Sequence, residues 1–192
     1  SKWELKKAYY LFSVLRYPSI VKIGSSLTKF ILAIKLPIKV IIKKTIFQQF
    51  CGGENIMDCE NRISQLAKYG VGTILDYSVE GQDSVDDFEK NKNEIIQTVI
   101  KASSFENIPF AVFKITGLGK TSLIRKLNQK DIELSLSEKT EKDQLINRVD
   151  QICKVAYENN ISVFIDAEDS WFQDFIDEVA EMMIEKYNLK KP

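Results

Sequence analysis

Ile161-Ser162-Val163-Phe164-Ile165-Asp166-Ala167-Glu168-Asp169-Ser170 changes character at one bond. An apolar run too short for a helix ends at Ile165, acidic residues crowd the next positions, and an amphipathic stretch runs from Trp171 to Tyr187 with Phe172, Phe175, Ile176, Val179 and Met183 on one stripe. That is the pattern of a strand followed by a helix. It occurs twice more. Val71–Tyr77 is followed by Ser84 and an amphipathic stretch to Ala102, and Phe110–Thr116 is followed, after a polar excursion, by a helix expected over Glu141–Glu158 and closed by Asn159-Asn160. Strands apolar on both faces that alternate with helices predict a parallel sheet, either doubly wound or closed as a barrel. Right-handed crossovers bring all the strand C-termini to one edge, where ligand chemistry gathers in both architectures.

The charged residues sit at that edge. Asp76, Lys114 and Asp166 each lie at or just inside the C-terminal end of an apolar run. A lysine within a strand is rarely tolerated unless it is paired or functional. Asp166 on the neighbouring strand is its natural partner, and an aspartate there would be costly to bury without a cation. A structural salt bridge, a ligand for a substrate anion and an amine of lowered pKa are the readings open for Lys114. Asp169 and Ser170 are placed to cap the third helix, which leaves Asp166 and Glu168 to be explained by function. Asp76 at a strand end also reads as a residue that turns the chain.

The 192 residues include no histidine, which removes Ser-His-Asp and Cys-His triads and histidine metal sites. No metal site is expected. Cys51, Cys59 and Cys153 form no CxxC pair and predict neither a disulfide framework nor a zinc site, so a reducing, cytoplasmic compartment is expected. No stretch approaches the ~18 consecutive apolar residues of a membrane span, and none reads as a secretory signal. The net charge of zero hides a polarity. Residues 1–50 carry nine lysines and one arginine against Glu4 alone, a net of +9 balanced by −9 over the rest. This segment either packs against the acidic body or touches anionic lipid as a peripheral contact with the inner membrane.

Residues 1–53 predict a helical segment of two or three helices, punctuated at Tyr17-Pro18-Ser19 and Leu36-Pro37, with Lys35, Lys39 and Lys43 recurring as on one exposed face. A helix from Asn55 to Tyr69, ended by Gly70 in a left-handed cap, then leads into the βα units. Gly117-Leu118-Gly119-Lys120-Thr121-Ser122 has the GKT of a P-loop, but the motif demands a glycine where this chain has Lys114. A nucleotide-binding domain using Lys120, Thr121 and Asp166 is therefore the alternative reading, beside a non-catalytic interaction fragment whose rim is only a salt-bridge network.

These segments together resemble the proline dehydrogenase family, flavin-dependent (βα)8 TIM-type barrel enzymes, in the N-terminal portion of the monofunctional bacterial type. Phe50-Cys51-Gly52-Gly53-Glu54 is similar to the entry to the helix before the barrel, Ile74-Leu75-Asp76-Tyr77-Ser78-Val79-Glu80 to the first strand, Val112-Phe113-Lys114-Ile115-Thr116 to the second and Val163–Ser170 to the third. The resemblance implies an α/β fold consisting of residues 54–192 as the first three βα units of an incomplete barrel. It implies oxidation of L-proline to 1-pyrroline-5-carboxylate with FAD as cofactor, hydride passing to flavin N5 and electrons continuing to a quinone. By position it implies that Lys114 helps hold the proline carboxylate, that Asp166 is the active-site aspartate, that the backbone of Ala167 contacts the flavin, and that Asp76 and Glu168 support the network.

A barrel of this kind needs eight units and ~250 residues, so the family's paired arginines for the substrate carboxylate are expected outside this chain. The chain alone is expected neither to bind flavin tightly nor to oxidise proline. Its open sheet is expected to invite self-association or covering by the N-terminal helices.

Overall fold

The computed structural model describes residues 2–34, 37–77, 83–129 and 132–188. The chain divides into two compact units, residues 1–59 and 60–192.

In the first unit, α1 (Lys2–Leu15) and α2 (Pro18–Ala33) follow one another across Tyr17. Pro18 opens α2, the one helical position where its missing N–H and fixed φ do no harm. α3 (Lys39–Ile42) continues through a π-helical turn, Lys43–Phe47, into α4 (Gln48–Phe50). Lys43 pairs with Glu54. Lys35 of the expected lysine periodicity lies outside the described residues, while Lys39 and Lys43 are both exposed. α5 (Ile56–Ala67), most of which belongs to the second unit, ends short of Gly70, whose φ of +70° is the left-handed cap that the glycine predicted.

The second unit alternates β1 (Ile74–Asp76), α6 (Val85–Ala102), β2 (Phe110–Phe113), a 3₁₀ turn (Ile115–Gly117), α7 (Thr121–Leu127), α8 (Leu136–Glu158), β3 (Ser162–Ile165) and α9 (Ser170–Tyr187). The strands form a parallel sheet in the order β1-β2-β3. Ser84 caps α6 by accepting from the Asp87 N–H at 3.2 Å. α8 begins five residues before the expected Glu141, because Ser135 and Glu138 form a reciprocal capping box. The polar excursion before it is not all loop, since α7 occupies part of it. Asp169 takes the N-cap position of α9 without a side-chain cap, and Asn160, at φ 56°, turns the chain from α8 into β3.

Strand alternation decides the packing. Leu75, Ala111 and Phe113 point to the helical side and are buried. There they meet Ile95 and Val99 of α6, Val149 and Ile152 of α8 and the α9 stripe Phe172, Phe175, Ile176, Val179 and Met183 in one core. At about 25 cal/mol per Å² of apolar area removed from water, this face carries the second unit's stability. The other face differs from the expectation of strands buried on both sides. Ile74 and Phe164 are exposed on it, and the ring of Phe110 stacks on that of Phe164 at 4.6 Å between centroids. Among the described residues of this unit, the sheet is apolar on both faces but covered on one.

Candidate active-site rim

Lys114 has extended backbone angles (φ −107°, ψ 137°), so it continues the alternation of β2 on the same side as Phe110 and Val112. Asp166 extends β3 in the same way, its N–H donating to the Phe113 carbonyl at 3.0 Å. Both side chains therefore stand on the open face, one layer above Val112 and Phe164. Lys114 Nζ donates to Asp166 Oδ2 at 2.9 Å. Asp76 pairs with Val112 in the β1–β2 register and so stands on the same face one layer lower.

The next layer repeats the arrangement. The Thr116 N–H donates to Glu168 Oε1 at 3.1 Å and its hydroxyl to Glu168 Oε2, so both oxygens of that carboxylate are held. Glu168 is anchored from behind as well, its N–H donating to Gln173 Oε1 at 2.9 Å, while Gln173 Nε2 donates to Asp177 Oδ1 at 2.7 Å. Between them, Ala167 is exposed and carries nothing beyond Cβ.

Two buried side chains fix the loop that leaves the rim. Asn91 of α6 donates to the Gly117 carbonyl at 3.0 Å and Arg148 of α8 to the Leu118 carbonyl at 3.0 Å. Arg148 Nε also donates to Glu89 at 2.7 Å, which leaves this buried guanidinium paired. Gly119 completes the clamp, for a Cβ there would lie 2.3 Å from Leu145 Cδ1. The glycine permits the loop to lie against α8, which explains it without a phosphate. Lys120 is engaged by Glu141 at 3.0 Å, and α7 is a helix of seven residues.

The electrostatics favour a permanent cation. The Lys114 ammonium is held above its ordinary 10.5, first by the hydrogen bond to Asp166, against the opposing effect of burial, and further by the charges of Asp166, Glu168 and Asp76. A lowered-pKa amine is therefore the wrong reading of Lys114. The expectation of a buried Asp166 is also corrected, because its side chain is 43% exposed against 25% for Lys114. A pair so open to water is worth at most ~1 kcal/mol of stability. It fixes geometry more than it stabilises the fold.

The residues expected from sequence thus meet as a group, with Lys114 bound to Asp166 and Glu168 in the layer above. Sequence reasoning passed over Thr116, Asn91 and Arg148. Thr116 carried a signal, since it follows Lys114 by the same two positions by which Glu168 follows Asp166. An apolar cavity of about 290 Å³ opens elsewhere, beside β3 between α8 and α9, and none of the rim residues lines it. It is the groove along an open strand edge.

A family model described as Proline dehydrogenase matches residues 59–192. Among curated relatives, Proline dehydrogenase 1, mitochondrial, of Dictyostelium discoideum is 28% identical, over 96% of this chain and 39% of the relative. The Carbapenem antibiotics biosynthesis protein CarD of Pectobacterium carotovorum subsp. carotovorum is 22% identical over 72% of this chain and 37% of the relative. Hydroxyproline dehydrogenase of Xenopus laevis is 22% identical over 100% of this chain and 48% of the relative. The chain spans less than half the length of each.

Proposed function

Because the chain belongs to the proline dehydrogenase family, we propose that its rim is one side of a pocket for L-proline, oxidised to 1-pyrroline-5-carboxylate. The observation that carries this reading is Lys114, a cation held by Asp166 on the open face of the sheet at the strand C-termini. An amino-acid substrate brings a carboxylate that needs a cation at fixed depth, and a lysine supplies a point charge there. Asp166 keeps that charge in place and on. Glu168, gripped by Thr116, holds the neighbouring strand end still, and Asp76 adds negative charge from below.

The residues present suit a flavin. Ile74, Val112 and Phe164 offer an apolar floor, and Ala167 leaves its backbone open to approach by a flat ring system. In this reading the Ala167 backbone would contact FAD. When bound, it supplies the two-electron oxidation, with a quinone as the final acceptor.

The open face is the interior of a (βα)8 barrel in this account, with residues 54–192 giving its first three units after a helical segment at 1–53. Lys114 alone is a partial grip on a carboxylate. Further cations come from the rest of the barrel, so these 192 residues by themselves neither retain flavin nor turn over proline. The test is spectroscopic. Proline added without oxygen to an FAD-loaded protein that holds this chain with the remaining barrel bleaches the flavin absorbance. A folded, loaded protein that keeps its colour in proline overturns the reading.

A further inference from the structure

Asn91 in α6 and Arg148 in α8 are polar side chains set in the core, 3% and 4% exposed. Burying an ion is costly, and apolar side chains of the same volume often serve stability as well or better, so stability does not by itself account for a guanidinium at this depth. Its contacts do. Arg148 donates to the Leu118 carbonyl and Asn91 to the Gly117 carbonyl, each at 3.0 Å. Arg148 is fixed in turn by Glu89 at 2.7 Å and by the Phe88 ring, whose centre lies 5.4 Å from the guanidinium carbon, while Lys92 holds Glu89 at 2.6 Å.

From the Gly117 carbonyl a continuous line of peptide groups runs to the rim. The group that accepts from Asn91 donates its own N–H, that of Leu118, to the Ile115 carbonyl at 2.9 Å. The group that carries the Ile115 carbonyl donates its N–H, that of Thr116, to Glu168 Oε1 at 3.1 Å. Every donor in this relay points toward the carboxylate, so each bond polarises the next. Alongside it, the Gly117 N–H donates to the Lys114 carbonyl at 3.3 Å and ties the turn to the backbone of the lysine.

We propose that Asn91 and Arg148 are positioning residues for Lys114, a role that rests on the proline reading: from two helices behind the sheet they fix the turn from Lys114 to Leu118, and with it the height at which the ammonium meets a substrate carboxylate. The turn's own 3₁₀ bonds have the poorer geometry of that helix type and hold it weakly. Two buried donors on consecutive carbonyls remove the remaining freedom. Glu168, held at the end of the relay, is one of the charges that keep the ammonium protonated. Misplacing a positioning group by ~1 Å can cost ~100-fold in rate, so side chains that never touch the substrate govern how well it is gripped.

Flavin reduction at low proline concentration, in protein that holds this chain with the rest of the barrel and its flavin, gives kcat/KM for wild type, Asn91→Leu, Lys114→Met and the double variant. Asn91→Leu lowers it by about tenfold where Lys114 is present and by less than about twofold where Lys114 is already Met, because no ammonium is left to misplace. Its melting temperature falls equally in both backgrounds. A merely structural role predicts the same fold loss with or without Lys114, and that result overturns the proposal, as does a wild-type kcat/KM in Asn91→Leu. Where Asn91→Leu does not fold or load flavin, Arg148→Lys, which keeps the charge without the planar fork, decides in the same cycle. Hydrogen–deuterium exchange without substrate separates this role from the proline reading. Asn91→Leu speeds exchange in peptides covering residues 114–119 by about tenfold and leaves residues 110–113 as in wild type. Unchanged exchange over residues 114–119 overturns the positioning role alone. Faster exchange there, beside a wild-type flavin that proline does not bleach, overturns the proline reading alone.

Discussion

Lys114 bonds Asp166 across the same 52-residue offset at which Thr116 bonds Glu168. The offset is that of the β2–β3 ladder, where Phe110 pairs with Ser162 and Phe113 with Ile165. The rim is therefore not a chance meeting of loops. It is the register of a parallel ladder continued beyond its last strand residue, with side chains taking over where the backbone pairing stops.

The upper rung should behave as a coupled unit. Thr116→Val leaves Glu168 without its hydroxyl donor, and Glu168→Gln weakens the same bond from the other side. Each is expected to cost ~1–3 kcal/mol, and the double variant less than their sum. Urea denaturation of the four proteins measures the coupling, and strict additivity contradicts it.

Gly119→Ala should destabilise by ~1–3 kcal/mol, because its methyl would meet Leu145 Cδ1 at 2.3 Å. Leu145→Val in the same chain should recover part of the loss. If instead Gly119→Ala is as stable as wild type, Gly119 serves something other than the packing of its loop on α8.

Acid and base should act at different places. Lys126 and the capping box hold the Glu138 carboxyl down at about 2, with Lys126 the largest cause. Its folded value lies below the unfolded one near ~4.3, so its stabilisation is present above ~4.3 and is lost as pH falls through about 2. Lys114 runs the other way. With its value raised, its contribution is full below ~10.4 and fades as pH climbs through the folded value. The stability difference between wild type and Lys126→Gln should therefore shrink across the acid window, and that between wild type and Lys114→Met above the alkaline one. Differences that stay constant with pH contradict both assignments.

The thiols should separate by depth. Burial, the largest cause, pushes Cys153 up to about 12, while Cys51 is exposed. Ellman's reagent at neutral pH is expected to modify Cys51 quickly and to reach Cys153 only on unfolding. Modification of Cys153 in the folded chain at the rate of Cys51 would show that α8 does not seal the core there.

The sequence carried the frame because short apolar runs at parallel-strand spacing and the helices between them announce themselves through periodicity. Lys114 and Asp166 were legible for a related reason, as charges where a buried strand should have none. The start of α8 was missed because Ser135 and Glu138 look like ordinary loop residues until the helix exists. The bare face was missed because Ile74 and Phe164 have the composition of a core, and hydropathy does not reveal which side of a strand receives a partner. Asn91 and Arg148 read as the solvated faces of amphipathic helices. Their burial depends on carbonyls of the Gly117–Leu118 turn, which only the tertiary fold brings to them.

We propose that Lys114, held by Asp166, receives the substrate carboxylate. It is tested most directly by comparing L-proline with pyrrolidine, which lacks the carboxylate, as substrates of wild type and Lys114→Met in protein that holds this chain with the rest of the barrel and its flavin. A fall in kcat/KM for proline of about a hundredfold or more is expected, the scale of ~3 kcal/mol for a charged hydrogen bond, with the small rate on pyrrolidine unchanged. Equal losses on both substrates, or proline turnover at the wild-type rate, would contradict it.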